Sequence, residues 1–196
     1  MRNNFEFLER FIVPSFVLSI ERVTKFGIPR QVMEHFESNS AKYIDHESYK
    51  PGNFSAFFLV CHQNGDRTYI AEQTKKYDNT SDTTESLAYL YTMRGLTYVG
   101  HAEVRKDISA VEPIFLGRPF IGFIRTNDQL LREGHGTRML GLMAAYAKAR
   151  YGESLISGEL VSETLRPLLE KLVREGSAKQ ETIHSNGHEY KVFATP

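Results

Sequence analysis

Pro119-Phe-Ile-Gly-Phe-Ile-Arg-Thr-Asn-Asp-Gln-Leu-Leu-Arg-Glu-Gly-His-Gly-Thr-Arg-Met-Leu-Gly-Leu-Met-Ala-Ala-Tyr-Ala-Lys-Ala-Arg150 is the stretch on which the reading of this chain turns. Phe120 to Thr126 is rich in aromatic and β-branched residues, as a buried strand is. Asn127, Asp128 and Gln129 end that run with turn chemistry. Gly134-His135-Gly136 then leads into a helical pattern. Met139, Met143, Tyr146 and Arg150 fall on one stripe, which Leu140 and Ala147 widen.

That junction has the physics of an anion site. The first N–H groups of a helix have no internal partner, and the helix dipole is positive there. Gly134 and Gly136 let the backbone turn inward and a ligand come close. Arg132 and Arg138 flank the loop with positive charge, so a phosphate or pyrophosphate suits it. A Walker loop is excluded, because Gly136 is followed by Thr137 and Arg138 rather than by Lys and Ser or Thr. A dinucleotide fingerprint is excluded too, because Met139 stands where a third small residue is required.

Composition narrows the classes. The 196 residues suit a single domain, 1–196. Lys plus Arg and Asp plus Glu number 24 each, which argues against a dedicated nucleic-acid binder. One cysteine, Cys61, excludes a disulfide framework and a cysteine-rich zinc site, and makes a reducing cytoplasm the expected location. The apolar patches between Phe7 and Ile20 are broken by Glu9, Arg10 and Pro14, unlike a signal peptide or a membrane span. His101-x-Glu103 lacks a following Pro-Cys-x-x-Cys, and there is no His-Glu-x-x-His, so no metal is expected.

Outward from the central stretch, spacing predicts the other elements. Phe5, Leu8, Phe11 and Ile12 have helical spacing, Phe16–Val23 fits strand or helix, and Pro29–Ser38 reads as a short helix. Phe54–His62 and Arg67–Thr74 are strands joined by Asn64-Gly65, a strong hairpin signal. Tyr43–Asn53, Lys75–Glu85 and Lys106–Arg118 read as loops. Leu87–Arg94 alternates Leu, Tyr, Tyr and Met on one side. Leu96–Arg105 alternates Leu96, Tyr98, Gly100, Ala102 and Val104 on one side. Ser154–Glu159 is a short strand, and Ser162 can cap the helix that follows. Leu165, Leu168, Leu169, Leu172 and Val173 form its apolar stripe, and Gly176 ends it. A second Asn-Gly hairpin closes the chain. The order predicts an α+β fold, an α/β three-layer arrangement with a mixed, mostly antiparallel central sheet flanked by helices.

The strand Phe120–Thr126, the loop Arg132-Glu-Gly134-His-Gly136-Thr137-Arg138 and the helix after it resemble the acetyl-CoA-binding core of the GNAT superfamily of N-acetyltransferases. The next strand, helix and hairpin agree with that family in order and length. The resemblance spans about 96–194, with the cofactor core at about 96–176. It is most similar to the small divergent members found in bacteriophage genomes. The family's loop begins with Gln or Arg where Leu131 stands, and its usual acid tyrosine falls near Leu169.

The resemblance implies an acyltransferase that moves an acetyl group from acetyl-CoA to an amine of a small molecule or protein. It implies cofactor contacts at Ile124, Arg125, Thr126, Arg132, Glu133, Gly134, His135, Gly136, Thr137, Arg138 and Ser162, with the pantetheine arm alongside Phe123–Thr126. Glu103 and then Glu159 are the candidate bases, and Tyr146 or Tyr98 the candidate acid. The alternative is an inactive protein of the same fold that binds or inhibits a macromolecule. No nucleic acid or membrane is expected as partner, and the chain is expected to be a monomer or homodimer.

Overall fold

The computed structural model describes residues 8, 11–41, 54–76, 84–107, 117–130, 133–157, 163, 165–185 and 187–195. Six strands lie side by side in chain order: β1 Val17–Val23, β2 Ala56–His62, β3 Arg67–Lys76, β4 Thr84–Arg94, β5 Thr97–Asp107 and β6 Phe120–Thr126. Every neighbouring pair is antiparallel. A separate hairpin, β7 Lys179–Ser185 with β8 His188–Ala194, forms a second sheet. The helices among the described residues are α1 Arg30–Ala41, α2 His135–Tyr151 and α3 Arg166–Arg174, with single turns η1 Lys25–Gly27 and η2 Asp128–Leu130.

The expected α/β three-layer, helix-flanked GNAT-like arrangement is corrected by this topology. Strands make up 44% of the structure, in two sheets, against three helices. Three features account for the difference. Phe16–Val23, ambiguous in sequence, supplies edge strand β1. The expected loop Lys75–Glu85 is shorter at both ends, because Lys75 pairs with Glu85 and Lys76 with Thr84. The expected strand Ser154–Glu159 contributes only bridges at Ile156, parallel to Phe120 and antiparallel to Ala194.

Side-chain alternation divides the large sheet into two faces. On one face Phe58, Val60, Ile70, Leu90, Ala102 and Val104 pack with Met139, Leu140, Leu142, Met143 and Tyr146 of α2 and Leu169 of α3. On the other, Leu87, Tyr89, Tyr91 and Met93 pack with Val32, Met33 and Phe36 of α1, the alternation read from Leu87–Arg94. The single-sided alternation read from Leu96 to Val104 fails at a bulge. Met93 pairs with Tyr98 but Thr92 with Gly100, so Val99 is an extra residue. Tyr98 therefore joins the α1 face while Ala102 and Val104 join the α2 face.

The C-terminal ends of α2 and α3 follow their sequence signals. The start of α3 does not: it begins at Arg166 with Leu165 as its N-cap and no side-chain cap, rather than at the cap expected of Ser162. Gly152 (φ 74°) closes α2, its N–H bonding to Lys148 O at 2.8 Å. Pro167 lies in the first turn of α3, where a missing N–H costs nothing. No helix among the described residues is long and apolar enough to cross a membrane. The expected helix at Phe5–Ile12 lies largely outside the described residues.

Candidate functional site

β6 is an edge strand with an unusual second side. Its inner edge pairs with β5, from Phe120 opposite Arg105 to Thr126 opposite Gly100. Its outer edge meets Ile156 once: Ile121 N–H donates to Ile156 O at 2.9 Å, and Ile156 N–H to Pro119 O at 3.0 Å. Ile156 is flanked by bonds to the closing hairpin, Ser157 N–H to Phe193 O (2.8 Å) and Thr195 N–H to Leu155 O (2.9 Å). Among the described residues, the bridge at Ile156 is the contact on that outer edge. Beyond it no backbone bond reaches the outer edge of Gly122–Thr126 among the described residues.

A bulge bends β6 at the same place. Val104 pairs with Ile121 and Glu103 with Phe123, leaving Gly122 unopposed. A Cβ on Gly122 would stand 2.6 Å from Arg105 Nε and 2.9 Å from its Cγ and Cδ. Glycine is needed there because the Arg105 arm lies across the strand. Arg105 also pairs with Glu103, and burial pulls the guanidinium pKa down to about 10.

After Thr126 the chain turns through η2 and enters α2. Asn127 holds the turn: its Nδ2 donates to Tyr98 O at 2.9 Å and its Oδ1 accepts from Gln129 N–H at 3.0 Å. Gly134 precedes α2 in the left-handed conformation (φ 75°) and no side chain caps the helix. The N-terminus of α2 lies beside the end of β6. A Cβ added at Gly136 would meet Leu168 Cδ2 at 3.7 Å and Thr126 Cγ2 at 4.0 Å, which are ordinary contacts.

The charges around that N-terminus depart from the expected cationic cradle. His135 is 5% exposed and turns inward. Its Nε2 lies 3.1 Å from Glu133 Oε2 and 3.2 Å from Arg94 Nη2. Its Nδ1 lies 2.9 Å from Arg138 Nη2 and 3.4 Å from Asp66 Oδ2. Each ring nitrogen thus faces one guanidinium and one carboxylate, so either neutral tautomer or the imidazolium finds partners. Arg94 also binds Asp66 Oδ1 (2.8 Å, Nε) and Glu133 Oε2 (3.1 Å, Nη1). Burial resists ionisation of Asp66, but hydrogen bonds from Arg94 and Asn64 outweigh it and hold the carboxyl below its usual range. Hydrogen bonds from His135 and Arg94 lower Glu133 likewise. Two carboxylates therefore offset two arginines at the mouth.

The remaining expected residues separate. Glu103, 6% exposed, faces the α1 side with His101 and is held by Arg105. Tyr146 is 0% exposed, and its hydroxyl donates to Glu72 Oε1 at 2.7 Å. Arg150 Nη2 lies 3.1 Å from Glu72 Oε2, an ion-pair contact outside hydrogen-bond geometry. Burial pushes both Tyr146 and Glu72 upward in pKa. Tyr146 thus belongs to a buried polar cluster beneath α2 rather than to the outer edge of β6. Ile124 packs against the α2-side core, Arg125 is exposed, and Thr126 and Thr137 stand at the mouth. Arg132, Glu159 and Ser162 lie outside the described residues.

Asp66 and Arg94 were invisible to the motif reading. They come from the β2–β3 turn and the end of β4, far from Gly134 in sequence. The only trace is that both adjoin turn glycines, Gly65 and Gly95.

No protein-family model matches this sequence, and no curated protein matches it at a significant level.

Proposed function

We propose that the chain binds an acyl-coenzyme A thioester along the outer edge of β6 and transfers its acyl group to an amine. The observation that carries this reading is the closeness of the end of β6 to the N-terminus of α2, where a Cβ on Gly136 would stand 4.0 Å from Thr126 Cγ2 and the N-cap is Gly134. The outer edge of β6 thus leads toward a helix whose N-cap, Gly134, supplies no side-chain cap. A pantetheine arm, with its two amides, is the kind of ligand that adds to a sheet edge as a strand does. The diphosphate at its end suits the α2 N-terminus.

In this reading a backbone N–H near Ile124 or Arg125 hydrogen-bonds the thioester carbonyl. The neutral amine attacks that carbon, the N–C bond forms, and the N–H group stabilises the oxyanion. Collapse breaks the C–S bond and releases the thiolate, which takes up a proton, while the nitrogen loses one to a base directly or through water. Glu103 reaches an amine only if it leaves Arg105, so a water-relayed base on the described surface fits the geometry better.

The diphosphate competes with the protein's own acids. Half-exposed Glu133 must release Arg94 and His135, while Asp66 is fixed beneath. The assay is thiol release from acetyl-CoA in the presence of mixed small-molecule and peptide amines. Amine-dependent release that Gly136→Asp abolishes is expected; release equal to the amine-free blank refutes transfer. A second reading, a binding protein without turnover, is favoured by the carboxylates already paired with the arginines, and it predicts no binding of acetyl-CoA.

A further inference from the structure

The α1 face of the sheet carries an open cavity of about 640 Å³ that borders the end of β6, within the range of small-molecule sites. His35 of α1, Tyr91 of β4 and Tyr98 and His101 of β5 form its ring-lined floor, with Arg125 and Asp128 at the rim. The rings touch in series. Centroids are 4.4 Å apart for His35–Tyr91 and for His35–His101, and 5.2 Å for Tyr91–Tyr98. Tyr98 hydroxyl lies 2.5 Å from His101 Nδ1, and Phe123, 43% exposed, stacks on His101 at 5.0 Å.

We propose that this cavity binds a free aromatic amino acid. The floor offers several π faces in one place, which reward a planar ring. The rim offers one charge of each sign, the exposed Arg125 and Asp128. A guanidinium pairs with a carboxylate in two parallel bonds, and an aspartate pairs with an ammonium. Asn127, between them, is bonded to β5 through Val99 O (2.8 Å) and Tyr98 O, so the rim is held before ligand arrives. The imidazoles of His35 and His101 are engaged with Asn39 (2.6 Å) and Tyr98, which holds their rings in the floor. A ligand with a ring and a single charge leaves one rim group unanswered. This site does not rest on the thioester reading, since it binds its ligand without cofactor.

Calorimetry of the full chain with L-phenylalanine tests the assignment, with phenethylamine, 3-phenylpropionate and L-leucine as subtractions. L-phenylalanine is expected to bind, and Arg125→Gln and Asp128→Asn each to weaken it roughly tenfold or more. Both residues are exposed, so neither change disturbs the fold. Binding of 3-phenylpropionate should ignore Asp128→Asn, and that of phenethylamine should ignore Arg125→Gln. Absence of heat with L-phenylalanine, binding that Arg125→Gln leaves intact, or equal binding of L-leucine overturns the proposal.

Discussion

Asp66 follows the Asn64-Gly65 turn and holds Arg94 Nε at 2.8 Å, with Asn64 Nδ2 2.8 Å from its other oxygen. Because its folded pKa lies below the ordinary 3.8, the native state binds this proton less readily than the unfolded chain. The stabilisation is complete above the ordinary value and disappears as pH falls through the depressed one. Asp66→Asn should therefore lower stability near neutral pH and flatten its loss on acidification, as read by urea unfolding from about pH 6 to about pH 2. An unchanged acid slope contradicts the pairing. Tyr146→Phe leaves Glu72 Oε1 without its donor inside the core. A loss of about 1–3 kcal/mol in the same unfolding assay is expected, with acyl transfer, if present, retained. Tyr146 was legible as a stripe residue from its spacing, but its partner Glu72 was not, because a contact across 74 positions leaves no mark on local pattern.

At the scale of elements, the join between β5 and β6 is set by two glycines of different kinds. Gly122 lies under a flexible arginine arm, whereas a Cβ at Gly100 would stand 2.7 Å from Arg125 O and 3.3 Å from Thr126 Cα. Backbone cannot move aside as a side chain can, so Gly100→Ala should cost about 1–3 kcal/mol and shift the Arg125–Thr126 end of β6. Faster amide exchange at Ala102 and Ile124 is the measurement, and native exchange there contradicts it. Period-2 alternation and Asn-Gly turns made most strands readable before any coordinates. The bulges at Val99 and Gly122 were not, since an inserted residue is indistinguishable from its neighbours until the partner strand is known. That is why Tyr98 was assigned to the wrong face and the ring-lined cavity stayed hidden.

For the whole molecule, a sheet whose six strands are antiparallel and lie in chain order replaces the helix-flanked layering expected from element order. Helical periodicity is strong in the second half of the chain, whereas the long alternating runs from Ala56 to Asp107 build the sheet. Far-ultraviolet circular dichroism should accordingly be dominated by strand, and a helix-dominated spectrum contradicts this architecture. The functional account turns on whether the outer edge of β6 and the N-terminus of α2 form one ligand groove. Isothermal titration with acetyl-CoA addresses this most directly, using wild type, Glu133→Gln and Gly136→Asp. Gly136 has room for a side chain within the protein, so its aspartate variant folds while opposing a diphosphate. The account predicts heat from wild type, tighter binding by Glu133→Gln and none by Gly136→Asp; no heat from the wild-type protein, or the same heat from all three, contradicts it.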